Sequence, residues 1–115
     1  MNQRVIVCGG RDYRDRRKLY EVLDVTHAAN LIGLLITGEA RGAYGLAVDW
    51  AGMRNVETLV INADWETQGR SAGPKRNQRM LDEGKPDLVI AFPGGSGTAD
   101  MVKRSELAGV PVAKI

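Results

Sequence analysis

Five short runs rich in β-branched and apolar residues are spaced along the chain, and a stretch of helical period fills nearly every gap between them. The runs are residues 4–8 (RVIVC), 31–37 (LIGLLIT), 56–61 (VETLVI), 88–92 (LVIAF) and 112–115 (VAKI). Most are continuously apolar and do not alternate, which is how parallel strands covered on both faces read. Between the first two runs, Leu19, Val22, Leu23, Thr26 and Ala29 form one stripe of a helix over 15–30, with Arg17, Glu21 and Asp24 opposite. Ala43, Leu46, Ala47, Trp50 and Ala51 recur at the same spacing after the second run, although Gly45 weakens that helix by roughly 1 kcal/mol relative to Ala. Residues 62–73 read as a polar loop. Residues 74–83 read as a helix opened by Pro74 and stopped by Gly84, and 98–108 as a helix stopped by Gly109 and Pro111. Strand–helix alternation of this kind predicts one α/β domain over 1–115, Rossmann-like and doubly wound, with about five parallel strands and helices on both faces.

The amino-acid balance removes several classes of function. A formal net charge of +2 over 115 residues gives no reason to expect a nucleic-acid or membrane partner. One cysteine, Cys8, and one histidine, His27, leave no intrachain disulfide and no structural zinc set. The one histidine, His27, has no carboxylate or nucleophile pattern near it in the sequence, so acid–base work is expected to fall to carboxylates. No apolar run reaches the length of a membrane span, and the first residues lead into a buried-strand pattern, not a signal peptide. The expectation is a cytoplasmic protein with no metal and no resident cofactor.

Ligands of open parallel sheets sit beyond the C-terminal strand ends, where the strand order reverses. Two glycine-rich loops fall there: Gly9-Gly10-Arg11 after the first strand, and Pro93-Gly94-Gly95-Ser96-Gly97-Thr98 after the fourth. In a 3-2-1-4-5 order the two face one crevice. Glycines let backbone approach a ligand, and the second loop feeds a helix N-terminus whose unpaired N–H groups and dipole favour an anion. Thr98 can cap that helix or donate its hydroxyl to a phosphate. No lysine follows the glycines, so this is not a P-loop, and Asp100 stands where the dinucleotide fingerprint needs its third glycine. Arg11 at the crevice mouth suits a phosphate, or is one solvated member of the run Arg11, Arg14, Arg16 and Arg17.

The third segment of interest is Gly69-Arg70-Ser71-Ala72-Gly73-Pro74-Lys75-Arg76-Asn77. Asn77 shares the face of Met80 and Leu81, so its amide points inward and needs partners, either a loop that it braces or a ligand that it reads. Arg70, Lys75 and Arg76 make a helix N-terminus basic, against the helix dipole, a placement that suits an anionic ligand. Trp65 either stacks on a base or plugs the core edge; Trp50 reads as core, His27 as surface and Cys8 as a buried thiol beside the crevice. Asp100 in the first turn of the last helix, and Glu39 after the second strand, are the carboxylates nearest the predicted site.

The run PGGSGTADM resembles the PGGxGTxxE motif of the SLOG superfamily, which includes LOG-type phosphoribohydrolases and the DNA-processing protein DprA. VIVCGGRDY, ARGAYGLAVDWA and ADWETQGRSAGPKRNQRM resemble the small YspA-like branch. The resemblance implies a Rossmannoid fold, a nucleotide or nucleotide-derived ligand such as an NAD or ADP-ribose relative, and a homo-oligomer. It places phosphate at Gly94, Gly95, Ser96, Gly97 and Thr98, with Gly9, Gly10, Arg11, Arg76 and Asn77 around the ligand. Two departures stand out. Met101 replaces the closing glutamate of the motif, and Tyr44 replaces the aspartate of a GAD triplet, where it can stack on or hydrogen-bond to a ligand. An oxocarbenium-like transition state wants a carboxylate near the sugar. The leading reading is therefore a sensor or sequestering module that binds such a ligand. The second is an N-glycosidase or phosphoribohydrolase using Asp100 or Glu39 with Arg76. The third is single-stranded nucleic-acid binding.

Overall fold

A computed structural model describes residues 2–38 and 41–115. Five parallel strands form one sheet in the order β3-β2-β1-β4-β5. They are β1 (Gln3–Cys8), β2 (Ile32–Thr37), β3 (Glu57–Val60), β4 (Leu88–Ala91) and β5 (Val112–Lys114). The helices are α1 (Arg16–Ala29), α2 (Ala43–Arg54), α3 (Trp65–Gln68), α4 (Ala72–Gly84) and α5 (Ser96–Leu107). The Rossmann-like α/β architecture read from the alternation of elements is the one observed.

Period-two alternation divides the central strands between two cores. Val5, Val7, Leu35 and Ile90 pack with Leu19 and Leu23 of α1 and with Ala47 and Trp50 of α2. Ile6, Cys8, Ile36 and Val89 face the other way, onto Met80 and Leu81 of α4 and Met101 of α5. Covering both faces is what allows these strands to be apolar throughout. Trp50 is fully buried, and its indole N–H donates to Asp24 at 2.8 Å.

Several local expectations are corrected. The segment 62–73 is not plain loop: Asp64 accepts a hydrogen bond from the Thr67 amide and opens α3, which passes through a 3₁₀ turn at Gly69–Ser71 into α4. Helix α4 therefore begins at Ala72, two residues before Pro74. The ring is tolerated because the first turn's amides have no intrahelical acceptor. Helix α5 begins at Ser96, so Thr98 lies inside its first turn and no side chain caps it. His27 is half-buried: its Nδ1 accepts the Ile32 amide at 3.0 Å, and its ring meets Trp50 edge-on. A surface assignment failed there because the signal lay in tertiary contacts with β2 and α2.

Candidate functional site

Strand order reverses between β1 and β4, so the loops after these strands diverge into helices on opposite faces of the sheet. The two loops are joined directly: the Gly10 amide donates to the Pro93 carbonyl at 2.9 Å. A Cβ on Gly94 would lie 2.6 Å from the Gly10 nitrogen and overlap the Thr98 hydroxyl, so only glycine permits this approach. Gly95 and Gly97 are different. A Cβ on either would meet nothing within 4 Å, so no packing demand from the described residues accounts for them.

A cavity of about 640 Å³ opens above this junction. Gly9, Gly10 and Arg11 form one wall, and Gly95, Ser96, Gly97, Thr98 and Asp100 form another. Tyr44 comes from the start of α2, Trp65 from α3, and Arg76 and Asn77 from α4. Of the residues singled out in the sequence, all of these meet in one place. Gly94 stands behind the wall as a spacer, and Glu39 lies outside the described residues. Arg70, Gly73 and Pro74 also line the cavity, a position that their basic, glycine-containing segment hinted at without fixing.

The helix start is chemically open. No side chain caps α5, and the amides of Ser96, Gly97 and Thr98 make no hydrogen bond with the described residues; the first amide of the helix to find an acceptor is Ala99, bonded to the Gly95 carbonyl at 3.1 Å. Three N–H groups and the positive end of a twelve-residue helix thus border the cavity.

Arg76 supplies a second feature. It is only 9% exposed, yet it forms no ion pair among the described residues. Its Nε donates to Asn77 Oδ1 at 3.1 Å, its guanidinium stacks on the Tyr44 ring, and its buried Nη1 has no acceptor there. Gly38 makes room for it: a Cβ at that position would sit 2.9 Å from the guanidinium carbon. The nearby Thr37 hydroxyl, at the end of β2, is likewise buried and unsatisfied among the described residues. Burying an unpaired cation is costly, and an incoming anion relieves that cost.

Asn77 and Asp100 are braces. Asn77 Nδ2 donates to the Gly97 carbonyl at 3.1 Å and to Asp100 Oδ2 at 3.0 Å, which fixes the first turn of α5 against α4. The same Oδ2 accepts from Arg104 at 2.8 Å. Asp100 is in the second turn of α5, so its expected role as a first-turn dipole partner is corrected to that of a bridge between helices. Met101 is fully buried in the α4–α5 core. Trp65 is 43% exposed, with the Arg11 guanidinium 5.8 Å from its ring centroid. It stands on the rim and does not plug the core. Cys8 is buried beneath the crevice; desolvation pushes its thiol up to about 12, against a smaller opposing pull from Arg76. No group of three or more potential metal ligands clusters among the described residues.

Fold and site together define a small Rossmann-like domain with a glycine-walled crevice at the point where its strand order reverses. Within that class the chain belongs to the YspA, cpYpsA-related SLOG family, whose profile matches residues 3–67, from β1 into α3. It is 37% identical over 118 residues to the Gene 61 protein of Mycobacterium phage D29, an alignment covering 96% of this chain and 94% of that relative. Family membership points to a role in binding or processing a nucleotide-related ligand. The second glycine loop lies outside the matched residues, so its geometry is an independent observation. No helix among the described residues is long and apolar enough to cross a membrane.

Proposed function

We propose that the crevice binds a nucleotide or nucleotide-derived anion, and that the protein serves as a sensor or sequestering module for it. One observation carries this reading: Arg76, buried and without an ion pair among the described residues, faces the same cavity as the uncapped start of α5. The ligand's phosphate accepts from the Ser96, Gly97 and Thr98 amides, with Arg76 offsetting its charge. Tyr44 and Trp65 give the remaining wall and rim an aromatic character that suits a base or ribose.

A binding role is favoured over N-glycosidic cleavage because Asp100, the one carboxylate among the described lining residues, is held by Arg104 and Asn77. The buried Met101 brings no acid into the crevice in its place. The experiment is a thermal-shift panel of nucleoside phosphates, NAD and ADP-ribose. A ligand at one hundred times its Kd stabilises by about 2.7 kcal/mol. For a domain of this size that is on the order of ten degrees. A flat panel overturns the reading.

A further inference from the structure

A second concave surface lies beside the crevice, a groove of about 480 Å³ that shares Arg11 with it. Arg11 and Arg14 enter from the loop after β1, Arg16 from the start of α1, and Arg41 from the residue before Gly42. Gly42 brings these segments together: its φ is +58°, and a Cβ there would lie 2.6 Å from Arg11 backbone. The Ala43 amide closes the junction by donating to the Gly10 carbonyl at 3.2 Å. Asp49 is the one acid among the described lining residues, and it is already paired with Arg16 at 3.3 Å. Arg11, Arg14 and Arg41 form no ion pair among the described residues.

Outside the groove Arg54, Arg79, Arg104 and Lys114 pair with Asp24, Glu83, Asp100 and Glu106, while the other basic side chains form no ion pair among the described residues; what sets the groove apart is that its guanidiniums converge on one concave surface. On a chain of net charge +2, three guanidiniums that form no ion pair among the described residues and meet around one groove are a local concentration, not a global bias. The groove also borders the start of α2, which has no side-chain cap and no acid in its first turn. These charges repel one another until an anion arrives.

We propose that this groove is a second phosphate subsite, so that the ligand of the crevice is a nucleotide bearing phosphates on both sides of one nucleoside. The proposal rests on the reading of the crevice as nucleotide-binding. One phosphate takes the start of α5, the nucleoside lies past Arg11, and the second phosphate meets Arg14 and Arg41. That chemistry is common to a free nucleoside 3′,5′-bisphosphate and to the 5′-phosphorylated end of a single strand.

Calorimetric titration with adenosine 5′-monophosphate, adenosine 3′,5′-bisphosphate and a 5′-phosphorylated oligothymidylate tests it, on the native chain and on an Arg14→Ala/Arg41→Ala double variant. Both arginines are exposed and unpaired among the described residues, so the variant is expected to fold, as thermal unfolding will verify. The bisphosphate should bind at least about tenfold tighter than the monophosphate, equivalent to ~1.4 kcal/mol. The double variant should lose that advantage and keep its monophosphate affinity. Equal affinities on the native chain, or an advantage that survives in the variant, overturn the subsite while leaving the crevice reading intact. Silence with all three probes overturns both. Affinity that keeps rising with strand length and falls steeply with salt identifies nucleic acid as the source. A gain already complete at the bisphosphate identifies a free nucleotide.

Discussion

The Arg76 guanidinium lies 5.3 Å from the centroid of the Tyr44 ring, pressed into the space left by Gly38. Stacking and one bond to Asn77 are what hold a nine-tenths-buried cation among the described residues. Arg76→Met keeps the unbranched apolar stem of the side chain and removes the charged guanidinium. Replacing a buried charge with an apolar group is often neutral for stability. The melting temperature should therefore move by only a few degrees, with the lost bond to Asn77 costing about 1 kcal/mol. A charge-assisted bond to a ligand is worth about 2 kcal/mol. Affinity for a nucleoside monophosphate should then fall roughly 30-fold. Unchanged affinity would remove Arg76 from the anion site, and an unfolded variant would make it a structural residue.

The glycines of the second loop divide into two kinds, and substitution should separate them. Gly94→Ala drives a methyl group into the Gly10 amide and the Thr98 hydroxyl, so it should lower stability by about 1–3 kcal/mol. Gly95→Leu and Gly97→Ala place their side chains in open space. Gly97→Ala, within a helix, should even stabilise by about 0.5–1 kcal/mol. Both changes fill room at the α5 start and should weaken nucleotide binding with the fold intact. Urea unfolding and a titration on each variant check the two halves separately. Full affinity in Gly95→Leu would move the phosphate away from this loop.

The fold was legible because apolar runs and helical period are local signals, and parallel strands buried on both faces leave little ambiguity. The 3-2-1-4-5 order then put both glycine loops on one crevice. What escaped the sequence was decided by tertiary contacts. Asp64, with Thr67 three residues on, marks an N-cap, but the surrounding polar residues hid a single-turn helix. Glycine spacing alone could not separate Gly94, required by packing, from Gly95 and Gly97, which stand in open space. An inward Asn77 was readable from its spacing to Met80 and Leu81. That its partners would be Gly97 and Asp100 depended on how α4 meets α5. The arginine run after β1 read as one cluster, but Arg41 joins it only through the backbone of Gly42.

Cys8 should be unreactive in the native state. Its thiol is buried and pushed up to about 12, and only the thiolate attacks a disulfide reagent. At pH 8 its labelling by an aromatic disulfide should track opening of the domain, with the burst of labelling appearing on denaturation in urea. Fast labelling of folded protein would mean that solvent reaches the floor of the crevice.

Asp24 links α1 to α2 by accepting from Trp50 through Oδ1 and from Arg54 through both oxygens. The Arg54 bonds, followed by the Trp50 bond, hold its carboxyl below the ordinary value of 3.8. A carboxyl lowered on folding contributes stability that is complete above its unfolded value and is lost as pH falls through the folded one. This contribution therefore fades below about pH 4. The pair is substantially solvent-exposed, so screening keeps this contribution small. Asp24→Asn preserves an acceptor for Trp50 and removes the titration. Its stability should be lower than that of the native chain at pH 7, and the gap should close between pH 4 and pH 2. Urea midpoints measured across that range decide the matter: a gap that stays constant to pH 2 would place the stabilisation in hydrogen bonding and not in the charge.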